Sequence, residues 1–574
     1  MAYIKTLKTR DKKTYIYLCE SYRIGDHVSS RTIKSLGQLE KLEKDEPNVL
    51  ERLKREAKEG LLGGTEPKKV IIEYDTEEEI NDLLYYYGWL LIDSIYREYQ
   101  IDRLTKELVK KNKIKYDLNK VLKLLVYGRF LFPSSKSKTV ELQSQLYGDW
   151  EINQNYMDRS LDYLPQIKDE LFTHLHQKQI EKTERSCSLV YYDVTNYYFT
   201  NDIDDIDIWN EDTGELVSEG LRKRGCSKEK RPKPIVQMGL FMDENGIPIS
   251  YKLFPGNTHD CATYIPALEE IKTLFGIDKV IVTADKAMNS KKNIELNNNL
   301  GNGWLFSQKV RGKRGIPKDI QEFALDPNGW TFASKGQTAY KSMIHERVIN
   351  KNCTIKEKVI VTWNGKYALR ERIRRKNAVE YVKNLTKPEA FRASCRKGGK
   401  RYLIAAYTDP ETGEERELNC ELKIDDELIE YDSMFDGLNV LVTSELDKSD
   451  EQLINHYRQL HLIEDCFRVI KSEFSARPVY VWTKNHIEAH FLICFLALFI
   501  MRTMQFKIDR KMSAGKILEC LGRSKCDKIG KGYLRLAANK ELQKLMKLLD
   551  YNVPKKIEKE EKIKNFDRFF KITK

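Results

Sequence analysis

A block of closely spaced apolar segments between Ser188 and Asp285 constrains the fold more than any other part of the sequence. SLVYYDVTNYYF is typical of a buried β-strand. The next two runs, KPIVQMGLFM and IPISYKLFPG, are joined by turn residues and predict a hairpin. CATYIPALEEIKTLFG then predicts a helix, and DKVIVTAD predicts another short buried strand. Three strands, a helix and a fourth strand in this order indicate an α/β fold built on one sheet.

Two aspartates directly follow apolar runs in this block. Asp193 comes after LVYY and Asp285 comes after VIVTA, which predicts that each lies at the C-terminal end of its strand. If the two strands are neighbours, their ends lie about 5 Å apart. Two carboxylates at that distance repel each other unless a cation lies between them. Oxygen ligands with no cysteine nearby favour Mg²⁺ or Mn²⁺.

A third acid is expected from a helix that packs on this sheet. Ser449 and Gln452 fit a capping box, and they predict a helix over about 450–472. Helical spacing places an acid, two cations and a tyrosine on one face: Tyr457, Glu464, Arg468 and Lys471. A charged helical face is usually solvated, so this spacing alone leaves both interpretations open.

With these residues identified, the chain resembles the ribonuclease-H-like catalytic domain of DDE transposases. The segments YYDVTNYYF, GLFMDENGIPISYKLFPGNTHD and VIVTADKAM, and the spacing Y-x6-E-x6-K, resemble the IS4 superfamily, most closely its IS1634-like branch. The resemblance implies that Asp193, Asp285 and Glu464 are catalytic. It also implies that they hold two divalent ions, Mg²⁺ or Mn²⁺, about 3.5–4 Å apart.

The same resemblance implies a set of DNA contacts, made by Tyr457, Arg458, Arg468, Lys471 and Lys286. One position departs from the family signature, because Leu460 stands where an arginine is expected three residues after the tyrosine. Arg458 and Arg468 are the nearby candidates for that contact. The tryptophans Trp304, Trp330 and Trp363 are candidates for an aromatic that holds a flipped base, although a core role fits each of them as well.

The implied function is that of a bacterial insertion-sequence transposase. It would cut DNA at the transposon ends and transfer those strands into target DNA. The implied partners are double-stranded DNA, as terminal inverted repeats and as target, and a second copy of the chain in a synaptic homodimer. Two alternatives stay open: a DNA-binding protein without catalysis, and a structure-selective nuclease that cuts without joining.

Changes in sequence texture divide the chain into six parts. In order, they are an N-terminal β-rich region with a helix (1–75), a helical and DNA-end-binding region (76–184), the first part of the ribonuclease-H-like domain (185–300), an inserted, mostly β subdomain (301–436), the second part of that domain (437–510) and a helical C-terminal region (511–574). From Pro554 onwards we expect a solvated amphipathic end.

Charge and targeting signals agree with a DNA-binding protein of the cytoplasm. The net charge is +13, which favours a polyanionic partner. The segment PSSKSKT (133–139) is a candidate for phosphate contacts, although an ordinary capped loop explains it equally well. The basic clusters 222–233, 309–318, 370–376 and 396–401 are further candidates.

The N-terminus has no apolar signal region. FLICFLALFIM is too short to span a bilayer and predicts a buried helix over about 484–507. We therefore expect a cytoplasmic, nucleoid-associated protein without membrane contact.

One motif imitates a zinc-protease site. HIEAH (486–490) is not H-E-x-x-H, because its glutamate lies two residues from each histidine and so points to the opposite side of a helix. We expect packing or DNA contact there, not zinc binding.

Overall fold

The computed structural model describes residues 2–58, 85–383, 403–406 and 421–572, apart from 10, 12, 25–26, 184, 186, 230, 278, 313–315, 334–336, 352 and 530–531. The chain divides into two compact units, one formed by residues 1–80 with 529–531 and one by the remainder.

The N-terminal unit is an antiparallel sheet with two helices. Its elements are β1 (Ala2–Lys8), β2 (Thr14–Ile24), β3 (His27–Gln38), α1 (Leu39–Asp45) and α2 (Val49–Lys58). Ile16 of β2 packs with Val49 and Leu53 of α2 in a small core. The strands lie where the alternating pattern predicts them. The sequence also predicts a turn at Gly25–Asp26 and a glycine-rich linker at 60–64, and both fall outside the described residues.

The second unit begins with a short strand and six helices, as the 3–4 spacing of apolar residues predicts. They are β4 (Tyr85–Tyr86), α3 (Trp89–Glu98), α4 (Ile101–Asn112), α5 (Leu118–Leu131), α6 (Lys136–Glu141), α7 (Gln154–Tyr163) and α8 (Lys168–Thr183). Side chains of Asp117, Ser135 and Asn153 accept backbone N–H bonds at the starts of α5, α6 and α7.

A central mixed sheet follows. Its region comprises β5 (Leu189–Tyr198), β6 (Ile208–Trp209), β7 (Leu216–Ser218), β8 (Ile235–Asp243), β9 (Pro248–Pro255), α9 (Asp260–Phe275), β10 (Ile281–Ala284), α10 (Lys291–Asn299), β11 (Gly303–Gln308), α11 (Lys318–Leu325), β12 (Thr331–Phe332), β13 (Thr338–Asn350), β14 (Cys353–Asn364), α12 (Gly365–Lys383), β15 (Leu403–Ala406), β16 (Glu421–Ile424), α13 (Asp426–Ser433) and β17 (Leu438–Thr443). The sheet has nine strands in the order β12-β13-β14-β17-β11-β10-β5-β8-β9. β5, β10 and β11 are parallel, whereas β8 and β9 form the antiparallel hairpin expected from the sequence.

The strands expected to form a separate insert join this same sheet. β14 pairs with β17, and β17 pairs with β11, so β13 and β14 extend the sheet across its far edge. The apolar face of β14 explains this, because Val359 and Val361 are fully buried against the sheet's core. Within the part of 301–436 that the structure describes, β15 and β16 form a sheet of their own.

The C-terminal third is mostly helical. It comprises α14 (Asp450–Arg458), α15 (His461–Arg468), α16 (Lys484–Lys507), α17 (Ala514–Gly522), β18 (Lys525–Ile529), β19 (Tyr533–Leu536), α18 (Lys540–Leu548), β20 (Ile557–Lys559), α19 (Glu560–Lys564) and α20 (Phe566–Phe570). α16 is long and apolar enough to cross a membrane, but 94% of its most apolar window is buried inside the protein, as a core helix would be. This agrees with the buried helix predicted over 484–507.

Two predictions for this region need correction, and a third is confirmed. The helix expected over 450–472 is two helices, which meet near Leu460, followed by a π-helical turn over Val469–Glu473. The region 511–574 also contains strands, since β18, β19 and β20 form a sheet with β4. The end of the chain is amphipathic, as predicted, because Ile563, Phe566 and Phe570 are buried whereas most residues of 554–572 are exposed.

Candidate active site

The two aspartates lie on adjacent parallel strands of the sheet. The register pairs Ile281 with Leu189 and Thr283 with Tyr191, and two further positions along both strands bring Asp285 opposite Asp193. Parallel neighbours are about 5 Å apart, as the sequence predicts for these two residues.

Their positions on the strands differ from the prediction in one respect. Asp285 does follow the end of β10, where its Oδ1 accepts the backbone N–H of Lys286 at 2.7 Å. Asp193 is not at the end of β5, because the strand continues to Tyr198 through its antiparallel pairing with β8. What ends near Asp193 is the pairing with β10, and the same side of β5 is paired again only from Tyr198, where the Val479 N–H donates to its carbonyl.

Burial makes Asp193 an unusual carboxyl. It raises the pKa of Asp193 to about 6, with Lys228 and the Val194 N–H acting against the shift. The charges of Asp285 and Glu464 raise the same pKa further. The negative charge of Asp193 is therefore poorly compensated in the free protein, and both other predicted acids act on it.

Glu464 lies in the first turn of α15 and is exposed. Contacts with β5 and buried apolar side chains hold the helices around Glu464 on the sheet. Tyr191 of β5 donates its hydroxyl to the carbonyl of His456 at 3.0 Å and to Gln459 Oε1 at 3.1 Å. Ile463 and Phe467 are buried. This is the packing that the helical spacing predicts for this segment.

The donor chemistry of these acids fits a hard divalent cation, because all three supply carboxylate oxygens. Among the described residues, however, no three histidine, cysteine, aspartate or glutamate side chains lie close enough together to form a ready metal-ligand group. The carboxylates occupy neighbouring elements of one site, and their oxygens would have to approach one another around an ion.

Two lysines surround Asp193. Lys471 donates to Thr195 Oγ1 at 2.6 Å and lies 5.3 Å from the centre of the Tyr197 ring. Burial and the charge of Lys228 lower the pKa of Lys471 to about 8, whereas Asp193 acts to raise it. Lys228 donates to the Val194 carbonyl at 2.6 Å. Sequence reasoning did not single out Lys228, which lies inside a basic cluster far from the acids in the chain.

A cavity of about 470 Å³ opens beside Glu464. Its walls include Tyr457, Arg458 and Trp363. Burial raises the pKa of Tyr457 to about 12, and the three acids add to the shift. Of the three candidate tryptophans, Trp363 is therefore the one beside the acids. Trp304 is 2% exposed in the core, and Trp330 packs against the ammonium of Lys341.

The remaining candidate DNA contacts lie apart from this cavity or are already engaged. Arg468 forms ion pairs with Asp465 at 2.5 Å and Glu473 at 3.3 Å. Lys286 follows Asp285 and is exposed.

The basic clusters differ in how far their cations already pair with acids in the structure. In cluster 222–233, four cations pair with the acidic loop 202–207: Arg222 with Asp205, Lys223 with Asp207, Arg224 with Asp204 and Lys233 with Asp202. Cluster 370–376 lies on the exposed helix α12, where Arg375 pairs with Asp436. Cluster 396–401 falls outside the described residues.

Two family models match the chain. A model described as transposase DDE domain matches residues 203–500, which is more than half of the chain. This range contains Asp285 and Glu464 and begins shortly after Asp193. A model described as IS1634 family transposase, N-terminal domain, matches residues 4–66. A search of curated proteins gives no match.

Solved structures give weaker similarities. A crystal structure of the Mos1 strand transfer complex is 17% identical, with 32% of this chain and 50% of that chain covered and a TM-score of 0.13. A Mos1 mariner paired end complex with Mn is 13% identical, with 50% and 75% covered and a TM-score of 0.14. The chain thus spans half of the length of the first of these proteins.

Proposed function

Because this chain belongs to the IS1634 family of DDE transposases, we propose that it cuts DNA at the ends of an insertion sequence and joins those ends to target DNA. The observation that carries the proposal is the placement of Asp193 opposite Asp285 on parallel strands, with α15, the helix of Glu464, packed against the strand of Asp193. These are the three acids that the sequence pattern singles out.

We propose that the core of the central sheet is a ribonuclease-H-like domain. The order β9-β8-β5-β10-β11 supports this, with β8 and β9 antiparallel and β10 and β11 parallel to β5. In this interpretation β13, β14 and the segments around them are the family's insertion, built onto the sheet and not beside it.

Asp193, Asp285 and Glu464 would hold the divalent ions, Mg²⁺ or Mn²⁺ and two in number by resemblance. Such ions, when bound, activate a water or a DNA 3′-hydroxyl and stabilise the leaving oxygen of a phosphodiester. Lys471 and Lys228 supply positive charge beside Asp193, so they would bind the phosphates on either side of the reacting one. Holding the DNA in line in this way supplies much of the rate in phosphoryl transfer.

The cavity beside Glu464 would receive the end of the transposon DNA. Tyr457 and Arg458 line it, and they would contact the backbone, as would the exposed Arg468 and Lys286. Trp363 lies in the same wall, so we assign to it the stacking of a displaced base. The helical region 76–184 would bind the DNA next to the end. The active species would be a homodimer in the cytoplasm.

The test is cleavage of a labelled duplex carrying the terminal repeat, with Mg²⁺ or Mn²⁺. We expect Glu464→Gln to bind the duplex and not to cut it. The matched control is Glu519→Gln, because Glu519 is an exposed glutamate of α17 that pairs with Arg523 at 2.8 Å and lies outside this cavity. The control should cut like the wild type.

The outcomes separate the three candidate functions. Cutting by Glu464→Gln at the wild-type rate would remove Glu464 from the site. Binding without cutting by the wild type would favour a DNA-binding protein. Cutting without joining of the 3′-hydroxyl end to a second duplex would favour a nuclease.

A further inference from the structure

A second cavity, of about 280 Å³, lies where the helical region meets the segment 475–483 and the start of α16. Its lining contains two cations, two histidines and, at the exposed rim, two aromatic rings: Arg129, Lys136, His486, His490, Tyr480 and Trp482. The site proposed above does not use any of these residues.

Two cations are buried in this cavity without a negative partner. Lys136 is 8% exposed and Arg129 is 4% exposed. Among the described residues neither of them pairs with an acid, and their hydrogen-bond partners are His490 for Lys136 and the carbonyls of Ser134 and Phe474 for Arg129. Burying a charge without a counter-charge costs several kcal/mol. The cavity is therefore set up to gain stability from an anion.

The neighbours of these cations are neutral acceptors. Lys136 Nζ lies 3.0 Å from His490 Nδ1, and His490 Nε2 lies 3.0 Å from the Ala476 carbonyl. His490 thus carries its proton on Nε2 and accepts from the lysine. Arg129 donates to the carbonyls of Phe474 at 3.1 Å and Ser134 at 3.2 Å. Burial and the charge of Arg129 lower the pKa of Lys136 to about 7.

The rim suits a nucleic acid more than a small free anion. Tyr480 is 54% exposed and Trp482 is 61% exposed, and exposed aromatic rings beside cations are the usual stacking surface for bases. The hydroxyl groups of Ser134 and Ser137 are also near, since both residues line the cavity. One carboxylate, Asp158, lies at the edge, where it accepts from Gln154 Nε2 at 3.2 Å.

The cavity is close to the candidate active site along β5. The Val479 N–H donates to the Tyr198 carbonyl at 2.9 Å, so the segment that carries Tyr480 and Trp482 lies beside the end of β5. Lys471 contacts Thr195 of the same strand. Three residues of strand span about 10 Å, which corresponds to about three base pairs of duplex.

We propose that this cavity binds a backbone phosphate of the transposon-end DNA, held by Lys136 and Arg129, with Trp482 against the adjoining sugar or base. This rests on the proposed function, because it takes the DNA that the carboxylates act on as the ligand. The cavity would fix the duplex a few base pairs from the cut, on the side of the helical region.

The experiment measures binding of the full chain to a terminal-repeat duplex by fluorescence anisotropy over a series of salt concentrations. Lys136→Met should weaken binding about tenfold, since one charge-assisted contact is lost, and should reduce the slope of log affinity against log salt by about one. Trp482→Ala, an exposed position that leaves folding intact, should also weaken binding. The control is Lys138→Met, which removes an exposed cation of the same helix that already pairs with Glu141 at 2.8 Å.

A second arm adds inorganic phosphate to the free protein and follows thermal unfolding. Phosphate should raise the melting temperature of the wild type more than that of Lys136→Met. If phosphate does so while Lys136→Met and Trp482→Ala bind DNA like the wild type, the cavity takes a free anion and the DNA proposal is overturned. An equal loss in Lys138→Met would overturn it too. If the wild type does not cut DNA but both cavity variants still weaken binding, the proposed function fails and this inference stands.

Discussion

The buried ammonium of Lys136 gives a quantitative test of the packing around it. In the fold, burial and Arg129 lower the pKa of Lys136 from 10.5 to about 7. Between these two values the unfolded chain binds a proton that the folded chain does not. The stability of the wild type must therefore rise with pH across this window, relative to a variant that has no ammonium at this position.

The size of the effect follows from the shift. Each unit of pKa difference corresponds to about 1.4 kcal/mol, so the full shift amounts to about 5 kcal/mol. From pH 7 to pH 10 the folded lysine is mostly neutral and the unfolded lysine mostly charged. Over this range the difference in unfolding free energy between wild type and Lys136→Met should change by about 3 kcal/mol, in favour of the wild type.

The other titratable groups that face Lys136 keep one charge state over most of this pH range, so the difference in unfolding free energy reports on Lys136. Burial lowers the pKa of His490 well below its ordinary value, so His490 stays neutral. Burial raises the pKa of the Cys494 thiol, so it stays protonated over most of the range.

The assay is urea unfolding of both proteins at a series of pH values, without DNA and in a buffer without phosphate. A bound anion would keep the lysine charged and remove the effect, so adding phosphate should flatten the wild-type curve. A difference that stays constant from pH 7 to pH 10 within about 0.5 kcal/mol would refute the reasoning. It would mean that Lys136 keeps an ordinary pKa, and hence a counter-charge or water, inside the fold.

Three further predictions concern the site and the core. Asp285→Asn should abolish cleavage as fully as Glu464→Gln while anisotropy still reports DNA binding; cleavage near the wild-type rate would exclude Asp285 from the site. Tyr191→Phe should cost about 1–2 kcal/mol in urea unfolding, because its hydroxyl bonds His456 and Gln459, and should slow cleavage; an unchanged rate would separate Glu464 from this support. Phe499→Ala should cost about 3–5 kcal/mol, since Phe499 is fully buried against Tyr99 at 5.0 Å between ring centres; a loss below about 1 kcal/mol would contradict the core assignment of α16.

The sequence predicts the central strands well because their signals are local. The apolar runs of β5 and β10 and the hairpin of β8 and β9 each lie within one stretch of chain. The adjacency of Asp193 and Asp285 then follows from the usual pairing of such strands. The extent of β5 beyond Asp193 was missed, because that continuation depends on pairing with β8 and not on its own composition.

Features that depend on distant partners could not be predicted. β14 joins the sheet through β17, which begins more than seventy residues later in the chain. The sequence shows cluster 222–233 only as a run of cations, whereas in the fold four of them form ion pairs with the acidic loop 202–207. Lys228 lies beside Asp193 in the fold, where it donates to the Val194 carbonyl and its charge acts to lower the pKa of Asp193, although 35 positions separate the two residues in the chain. In each case the residue is placed by a contact with a segment that is too distant in the chain for a local sequence pattern to reveal.

The charges around β5 indicate how binding and catalysis are connected. Burial acts on Asp193 and Lys471 in opposite directions: it raises the pKa of the acid to about 6 and lowers that of the lysine to about 8. Both shifts mean that the charged forms are disfavoured in the free protein. A cation at the carboxylates and a phosphate at the lysine would each restore the charged form. The free site is thus the less stable state, and ligands that bind the folded chain would stabilise it.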